Sequence, residues 1–179
     1  MYKRQLQHRT DLGGVRLNLA TEADLRGAWD GIVDALGPAR HLVVQRMSPP
    51  GVAVVLTSTE DPLFGPVISF GVGGVATELL GDRAFRIPPL TDVDVADLIR
   101  SVRAAPLLFG HRGADPVDVA ALEDLVVRVS RLADDLPEVA ALELNPVIVG
   151  VESLSVLNAT IRLAPPLARA DQGPRALGG

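Results

Sequence analysis

Two amphipathic helical patterns, one after the other between two blocks of strand-like sequence, constrain the fold of this chain more than any other feature. In both segments apolar residues recur about every 3.6 residues, as on the buried side of a helix. Thr91 is placed to cap the first helix, and Pro116 occupies a position favoured at the start of the second. We therefore expect helices over residues 92–103 and 116–134. The apolar positions are Val95, Leu98, Ile99 and Val102 in the first and Val119, Leu122, Leu125, Val126, Val129 and Leu132 in the second.

Short runs of alternating apolar and polar residues surround these helices and predict strands. The turn Pro49-Pro50-Gly51 indicates a hairpin between the second and third of them. Because strands and helices are segregated along the chain, the expected fold class is α+β, with a mostly antiparallel sheet and the helices packed on one face. The predicted strands cover residues 15–20, 41–47, 52–57, 66–70, 75–80, 83–87, 139–144, 147–151 and 156–163.

A further helix is expected in the N-terminal part of the chain. Asp24 follows Thr21 by three residues, as in a capping box, and Gly37-Pro38 ends the apolar pattern. Trp29 lies on the apolar side of this helix, so we expect it to anchor the core.

The composition excludes several classes of function. The 179 residues include no cysteine, which rules out disulfides, thiolate zinc sites and a cysteine nucleophile. A net charge of −5 and 3% aromatic residues provide neither a basic footprint nor a stacking platform for nucleic acid. No apolar run reaches the roughly 18 residues of a membrane span. The default expectation is a cytoplasmic protein without a nucleic-acid or membrane partner, with one domain over residues 1–164 and a flexible tail over 165–179.

The segment HRTDLGGV, which begins at His8, combines a histidine, a carboxylate and paired glycines. The imidazole of His8 could be a nucleophile toward phosphorus, and Asp11 could orient it. Gly13 and Gly14 would let backbone N–H groups approach a phosphate closely. A surface turn with an incidental histidine explains the same residues, and the spacing alone favours that simpler interpretation.

A second glycine-rich segment, FGVGGV, begins at Phe70. Gly73 and Gly74 could lie against phosphates, or they could serve only a turn that needs positive φ. Because the segment lacks the Gly-Lys-Ser/Thr ending of a P-loop, the glycines alone leave both interpretations open.

The segment Glu143-Leu144-Asn145-Pro146 places two oxygen-bearing side chains two residues apart. Side chains alternate along a strand, so Glu143 and Asn145 are expected on one face, where they suit a hard cation such as Mg²⁺. Pro146 is expected to end the strand ladder and leave the strand end to a ligand. The alternative is a polar strand edge at a turn.

Taken in order, six segments resemble the ATP-grasp domain of NDP-forming acyl-CoA synthetases, the acetate–CoA ligase (ADP-forming) family. The resemblance covers about residues 6–163 and extends to proteins in which this domain is joined to a GNAT-type acetyltransferase. Each segment alone is weakly specific, whereas six in the same order are specific. The segments are HRTDLGGV, VVQRM, DPLFGPVISFGVGGVATELLGD, RIPPL, GHRGADPVD and ALELNPVIV.

The resemblance implies a reaction that uses ATP/ADP and Mg²⁺. In it, acyl-CoA, phosphate and ADP interconvert with a carboxylic acid, CoA and ATP through a phosphohistidine. His8 matches the transiently phosphorylated histidine, Asn145 matches a magnesium-binding asparagine, and Gln45 and Met47 match the strand that runs into the adenine-binding hinge. The implied partners are the nucleotide, CoA-binding and CoA-ligase domains of the same protein or of a partner subunit, and an acetyltransferase domain in the fused forms.

Two positions depart from the pattern of the family. Asn158 stands where the family has a second metal-binding carboxylate, and Ala53 stands where it commonly has glutamate. An amide oxygen at Asn158 can still ligate Mg²⁺, and Glu143 would contribute directly or through water. The strand that usually carries the nucleotide-binding lysine has no match near Lys3, so we expect a fragment that begins inside the domain and is inactive alone.

Three hypotheses follow from the resemblance. The leading one is the ATP/ADP-binding part of an ADP-forming acyl-CoA synthetase, which the retained His8, Asp11 and Asn145 favour. The alternative is a degenerate regulatory nucleotide-binding module of a multidomain acetyltransferase, which Asn158 and Ala53 favour. The third is a structural interaction domain, which the intact glycine segments disfavour.

Overall fold

The computed structural model describes residues 13–37, 41–74 and 80–166. The chain divides into two compact units with the boundary between Met47 and Ser48. In the described ranges no helix is long and apolar enough to cross a membrane.

The first unit contains helix α1 (Glu22–Leu36), which begins and ends as predicted. The Thr21 hydroxyl accepts a hydrogen bond from the backbone N–H of Asp24, and the Asp24 carboxylate accepts one from the N–H of Thr21 at 2.9 Å. This reciprocal capping box satisfies two N–H groups that have no partner within the helix. Gly37 ends the helix at a φ of 81°, a conformation that glycine adopts without steric cost.

Three other predictions for the first unit are wrong. Trp29 is 43% exposed, because consecutive helical residues point about 100° apart and the buried line of α1 runs through Ala28 and Ile32. Residues 15–20 and 41–47 form no strand, so the predicted hairpin with 52–57 does not exist. A strand is stable only with a hydrogen-bonded neighbour, and the alternating pattern does not reveal whether one is available.

The second unit is a six-stranded sheet in the order β3-β2-β1-β4-β5, with β6 also paired to β4. Every pairing is antiparallel, which confirms the predicted sheet type. The strands are β1 (Val52–Asp61), β2 (Gly65–Val72), β3 (Ala84–Arg86), β4 (Val139–Val149), β5 (Leu154–Val156) and β6 (Ala159–Leu163).

Helices α2 (Asp92–Arg100) and α3 (Val119–Asp135) pack on one face of this sheet, as predicted. Their apolar sides and the inward residues of the central strands form one core. Two short 3-10 turns, Ala105–Leu107 and His111–Gly113, connect the helices. The largest fully buried side chains are Phe70, Leu56, Ile68, Leu98, Ile99, Leu108, Leu122, Val54, Val95, Val126, Val147 and Val149.

Helix α3 begins at Val119, three residues later than predicted, and Asp118 is its N-cap. The reason is tertiary. The backbone N–H of Val117 donates to the carbonyl of Leu108 at 3.0 Å, and that of Asp118 donates to the carbonyl of Gly150 at 2.7 Å. These residues therefore connect a loop and the sheet instead of forming a first helical turn.

Strand β4 continues through Pro146, so the prediction that this proline ends the ladder is wrong. At this point the β1–β4 register shifts. Between two successive pairs, one residue of β1, Val55, lies opposite two residues of β4, Asn145 and Pro146. Such a bulge leaves one residue of the longer strand unpaired with its neighbour. Proline, which has no N–H to donate, is tolerated at this position.

Candidate functional site

The face of the sheet opposite α2 and α3 is lined by small and polar side chains. Its residues alternate along the strands with the buried core positions. We call it the polar face, and its central members are Ala53, Val55 and Thr57 of β1, Val67, Ser69 and Gly71 of β2, and Ala141, Glu143 and Asn145 of β4. The hydroxyls of Thr57 and Ser69 are hydrogen bonded across the two strands at 2.7 Å.

Glu143 and Asn145 share the polar face, as predicted. The amide Nδ2 of Asn145 donates a hydrogen bond to Oε1 of Glu143 at 2.9 Å, and both residues are exposed. Because this bond uses the amide nitrogen, Oδ1 of Asn145 and Oε2 of Glu143 stay free of it and remain oxygen donors for a ligand.

Asn158 lies next to Asn145 across the β4–β6 ladder. The backbone N–H of Asn145 donates to the carbonyl of Asn158 at 3.1 Å, and the following pairs set Thr160 opposite Glu143. Directly opposed residues have Cβ atoms about 4.5–5.5 Å apart. The three predicted metal-binding positions, Glu143, Asn145 and Asn158, are therefore neighbours in the structure.

The side-chain oxygens of Glu143, Asn145 and Asn158 are of the type that Mg²⁺ binds. They are one carboxylate and two amide oxygens, and Mg²⁺ takes oxygen ligands while keeping several of its waters. Among the residues that the structure describes, no three His, Cys, Asp or Glu side chains come together. A metal here would accordingly rely on a single carboxylate, on amide oxygens and on the ligand itself.

A cleft of about 130 Å³ opens on the polar face beside Asn145. Its floor is formed by β1 and by the glycine-rich end of β2, and one side is formed by the start of β3. The lining residues are Ala53, Val55, Gly71, Val72, Gly73, Gly74, Asp82, Arg83, Asn145 and Pro146.

The glycines of this floor are required by close packing. The backbone N–H of Gly73 donates to the carbonyl of Ala53 at 2.7 Å, and a Cβ on Gly73 would lie 3.1 Å from the Cβ of Ala53. A Cβ on Gly71 would lie 3.0 Å from the carbonyl oxygen of Asp82. Packing thus explains both glycines, and the floor between them carries only the short side chains of Ala53 and Val55.

Asp82 and Arg83 also line the cleft, although their sequence gave no indication of a binding role. The carboxylate of Asp82 accepts hydrogen bonds from the backbone N–H groups of Arg103 and Ala104, both at 2.9 Å. It therefore connects the start of β3 to the turn after α2. In the sequence Asp82 ends a glycine-rich segment and Arg83 begins the predicted strand 83–87, and nothing local distinguishes them from other polar residues.

The other predicted binding and catalytic residues come from the first 47 residues of the chain. Gly13, Gly14, Gln45 and Met47 belong to the first unit, where Gly13 has a φ of 74° and Met47 is 49% exposed. The catalytic residues His8 and Asp11 fall outside the described residues, so their roles stay predictions.

Comparison with known proteins shows similarity along the chain. A family model described as an ATP-grasp domain matches residues 1–163. The acetate–CoA ligase [ADP-forming] I subunit beta of Pyrococcus furiosus is 34% identical over 165 residues, which cover 89% of this chain and 71% of that subunit. The acetate–CoA ligase [ADP-forming] I of Archaeoglobus fulgidus is 40% identical over 157 residues, which cover 84% of this chain but only 23% of that protein.

Solved structures of one enzyme share the fold. The dinucleotide-forming acetyl-coenzyme A synthetase 1 of Ca. Korarchaeum cryptofilum, in complex with coenzyme A, Ca-AMPCP and HgCl+, matches with a TM-score of 0.81 and 37% identity over 89% of this chain and 72% of that chain. A complex of this enzyme with coenzyme A and Mg-AMPPCP, its phosphohistidine segment pointing towards the nucleotide binding site, matches with a TM-score of 0.78 and 38% identity over 92% and 74% of the respective chains.

Proposed function

The chain belongs to the ATP-grasp domain family, and on that premise we propose that it is the nucleotide-binding part of an ADP-forming acyl-CoA synthetase. The observation that carries the proposal is the polar face of the sheet. There the oxygen donors of Glu143, Asn145 and Asn158 stand beside a cleft with a glycine floor. A cleft with oxygen donors at one side and a floor of glycines and short side chains suits a metal-bound polyphosphate.

The oxygen donors would hold Mg²⁺ together with the phosphates. Oδ1 of Asn145 would be the chief protein ligand, with Asn158 beside it and Glu143 contributing directly or through water. When bound, the ion neutralises charge on the phosphates and orients them. The Mg-AMPPCP complex of the archaeal synthetase supports a magnesium-bound nucleotide as the ligand.

The short residues of the floor would leave room for the phosphates. Ala53 carries only a methyl group, and Gly71 and Gly73 carry no side chain. A larger side chain at any of these positions would displace its neighbours and narrow the cleft. The small residues would thus set how deeply the phosphates enter the cleft.

A phosphohistidine would connect this site with CoA chemistry. In the direction of ATP formation the bond from phosphorus to a histidine nitrogen breaks, and a bond to a terminal oxygen of ADP forms. His8 would carry the phosphoryl group, Asp11 would orient the imidazole, and the Gly13-Gly14 backbone would hold the phosphate oxygens. Replacing His8 by alanine in the full-length protein should abolish turnover without unfolding it, and near-normal turnover would contradict this role.

CoA-binding and CoA-ligase domains, in the same protein or in a partner subunit, would supply the acyl-CoA. The match to a separate beta subunit and to part of a longer ligase supports both arrangements. The 179 residues alone should form no ATP from acetyl-CoA, ADP and phosphate. The regulatory alternative gains no support from these relatives, which are ligases.

Nucleotide binding tests the proposal directly. Calorimetric titration of the chain with ADP should show saturable binding that strengthens when Mg²⁺ is added. Replacing Glu143 by glutamine should weaken the magnesium-dependent part by about tenfold, the loss of one charge-assisted contact. Glu152, exposed in the turn after β4, is the matched control, and its change to glutamine should leave the titration unchanged. Absence of ADP binding at millimolar concentration would refute the proposed function.

A further inference from the structure

One row of residues crosses the polar face from β3 to β4 and has a positive charge at one end. Gly71 pairs with Val55, and Val55 stands opposite Asn145 at the bulge. On the other side of Gly71, the antiparallel register of β2 and β3 continues to Arg83. The metal-binding end of the row and the arginine end therefore flank the floor of the cleft.

The side chain of Arg83 lies over the glycine floor. A Cβ on Gly71 would be only 3.3 Å from the Cγ of Arg83, so the aliphatic stem occupies the space that a larger residue at 71 would fill. Arg83 is exposed and lines the same cleft as Asn145. Within the described part of the chain its guanidinium forms no ion pair. A permanently charged group with five N–H donors thus borders the cleft, with no carboxylate partner among the described residues.

The backbone around Arg83 is held in place by its neighbours. Both carboxylate oxygens of Asp82 accept hydrogen bonds from consecutive N–H groups of the turn after α2, so this adjacent carboxylate is engaged there. The N–H of Arg83 itself donates to the carbonyl of Gly81 at 2.9 Å. Asp82 is thereby a positioning residue, and Arg83 is the group left to face the cleft.

We propose that Arg83 binds phosphate oxygens in the cleft, from the side opposite Glu143 and Asn145. The inference rests on the proposed function and adds to it a residue that neither the sequence pattern nor the resemblance indicates. Adjacent strands lie about 4.8 Å apart, so the backbone of Arg83 is roughly 14 Å from that of Asn145, three strand intervals away. The long arginine side chain and a metal ion at Asn145 would together enclose a polyphosphate between them.

The chemistry of arginine restricts what this residue recognises. Its planar guanidinium matches the spacing of two phosphate oxygens and forms short, charge-assisted hydrogen bonds with them. An adenine base or a ribose offers no such anionic pair. Arg83 should therefore contribute to the binding of ADP and of inorganic phosphate, and not to the binding of adenosine.

The test compares Arg83→Gln with Arg131→Gln in titrations of the whole chain with ADP, adenosine and inorganic phosphate. Arg131 is exposed on α3, which covers the other face of the sheet, so its loss removes the same charge far from the cleft. We expect Arg83→Gln to weaken ADP binding about tenfold or more, the usual loss for a hydrogen bond to a charged group, and to leave adenosine binding unchanged. A loss confined to inorganic phosphate would support the same contact with a free phosphate. The thermal midpoint of each variant checks that it folds.

Three outcomes would overturn the inference. Equal losses of ADP and adenosine binding would show that Arg83 only supports the structure. Equal losses in Arg83→Gln and Arg131→Gln would show an effect of net charge alone. If the wild-type chain binds ADP and Arg83→Gln binds all three ligands equally well, the role of Arg83 is refuted and the proposed function stands. If the wild-type chain binds no nucleotide, both are refuted.

Discussion

The two faces of the sheet in the second unit differ in the size and polarity of their side chains. On the face covered by α2 and α3, the inward residues are large and apolar, and those at the centre, such as Phe70 and Leu56, have no exposed surface. On the polar face the central strands carry mostly short side chains, among them alanine, glycine, serine, threonine and valine, with oxygen donors at one side. Residues of the first face fill volume, whereas the short residues at the centre of the second leave room for a cleft.

Stability and ligand binding depend on different faces of the sheet. Burying apolar area on the helix-covered face stabilises the unit, by about 25 cal/mol per Å². Small residues on the polar face contribute little burial, and they leave backbone and oxygen atoms accessible to a ligand. Substitutions on the helix-covered face should accordingly change the free energy of unfolding, and substitutions on the polar face should change ligand binding.

The largest effect is expected for a phenylalanine of the helix-covered face. Phe70→Ala should lower the free energy of unfolding by about 3–5 kcal/mol, because it leaves a cavity in a packed core. Phe85 of β3, on the polar face and 57% exposed, is the matched control, and its change to alanine should stay within about 0.5 kcal/mol. Urea unfolding of both variants measures the difference. Similar losses for both would contradict the contrast between the faces.

A smaller loss is expected for a buried hydroxyl in the same layer. Ser130 is 1% exposed, and its Oγ accepts a hydrogen bond from the backbone N–H of Leu90 at 2.9 Å. Ser130→Ala should lower the unfolding free energy by about 1–3 kcal/mol, since that N–H loses its partner. Ser101→Ala, at an exposed hydroxyl, should have much less effect in the same urea titrations. An unchanged Ser130 variant would show that water replaces the hydroxyl.

On the polar face, a change of similar size should appear in binding and not in stability. Asn158→Asp adds a negative charge beside Asn145 and should tighten magnesium-dependent ADP binding about tenfold, equivalent to about 1.4 kcal/mol. Ala120→Asp adds the same charge on exposed helix surface across the sheet and should leave binding unaltered. Titrations of ADP at several Mg²⁺ concentrations distinguish them. If Asn158→Asp leaves the titration unchanged, position 158 does not face the metal.

The smallest effect concerns a helix cap, which belongs to neither face. The hydrogen bond from the Thr91 side chain, with that from its backbone N–H, lowers the pKa of Asp94 below its ordinary value of 3.8. A carboxylate with a lowered folded pKa stabilises the protein above the ordinary value, and this contribution is lost as the pH falls through the lowered pKa. The thermal midpoint of Asp94→Ala should therefore lie below that of wild type at pH 6, and the gap should close below about pH 3.8. Asp92→Ala is the control at the same helix end, and a gap that persists into acid would contradict the prediction.

Much of the fold was predictable because it depends on neighbours in sequence. The capping box of Thr21 and Asp24 and the apolar side of α2 involve residues three or four positions apart, so their pattern is visible in the chain itself. The strands at 15–20 and 41–47 were predicted wrongly, since alternation indicates an extended segment but not a partner for its hydrogen bonds. The start of α3 was misplaced because the N–H of Asp118 donates to Gly150, far away in sequence.

The candidate site was predictable to a similar degree. Glu143 and Asn145 were placed on one face by strand alternation alone, and the resemblance pointed to Asn158. Arg83 escaped notice because its position over Gly71 depends on the pairing of β2 with β3.

Helices α1, α2 and α3, the antiparallel sheet covered on one side and the family resemblance were all predictable from the amino-acid sequence. These follow from short-range spacing and from the order of motifs. Three features could not be predicted from the sequence. Strand β4 passes through Pro146 by a bulge, Gly73 contacts Ala53, and Asn145 and Arg83 flank one cleft. The reason is physical: each of these is a contact between strands distant in sequence, and it exists only once backbone hydrogen bonds have set their register.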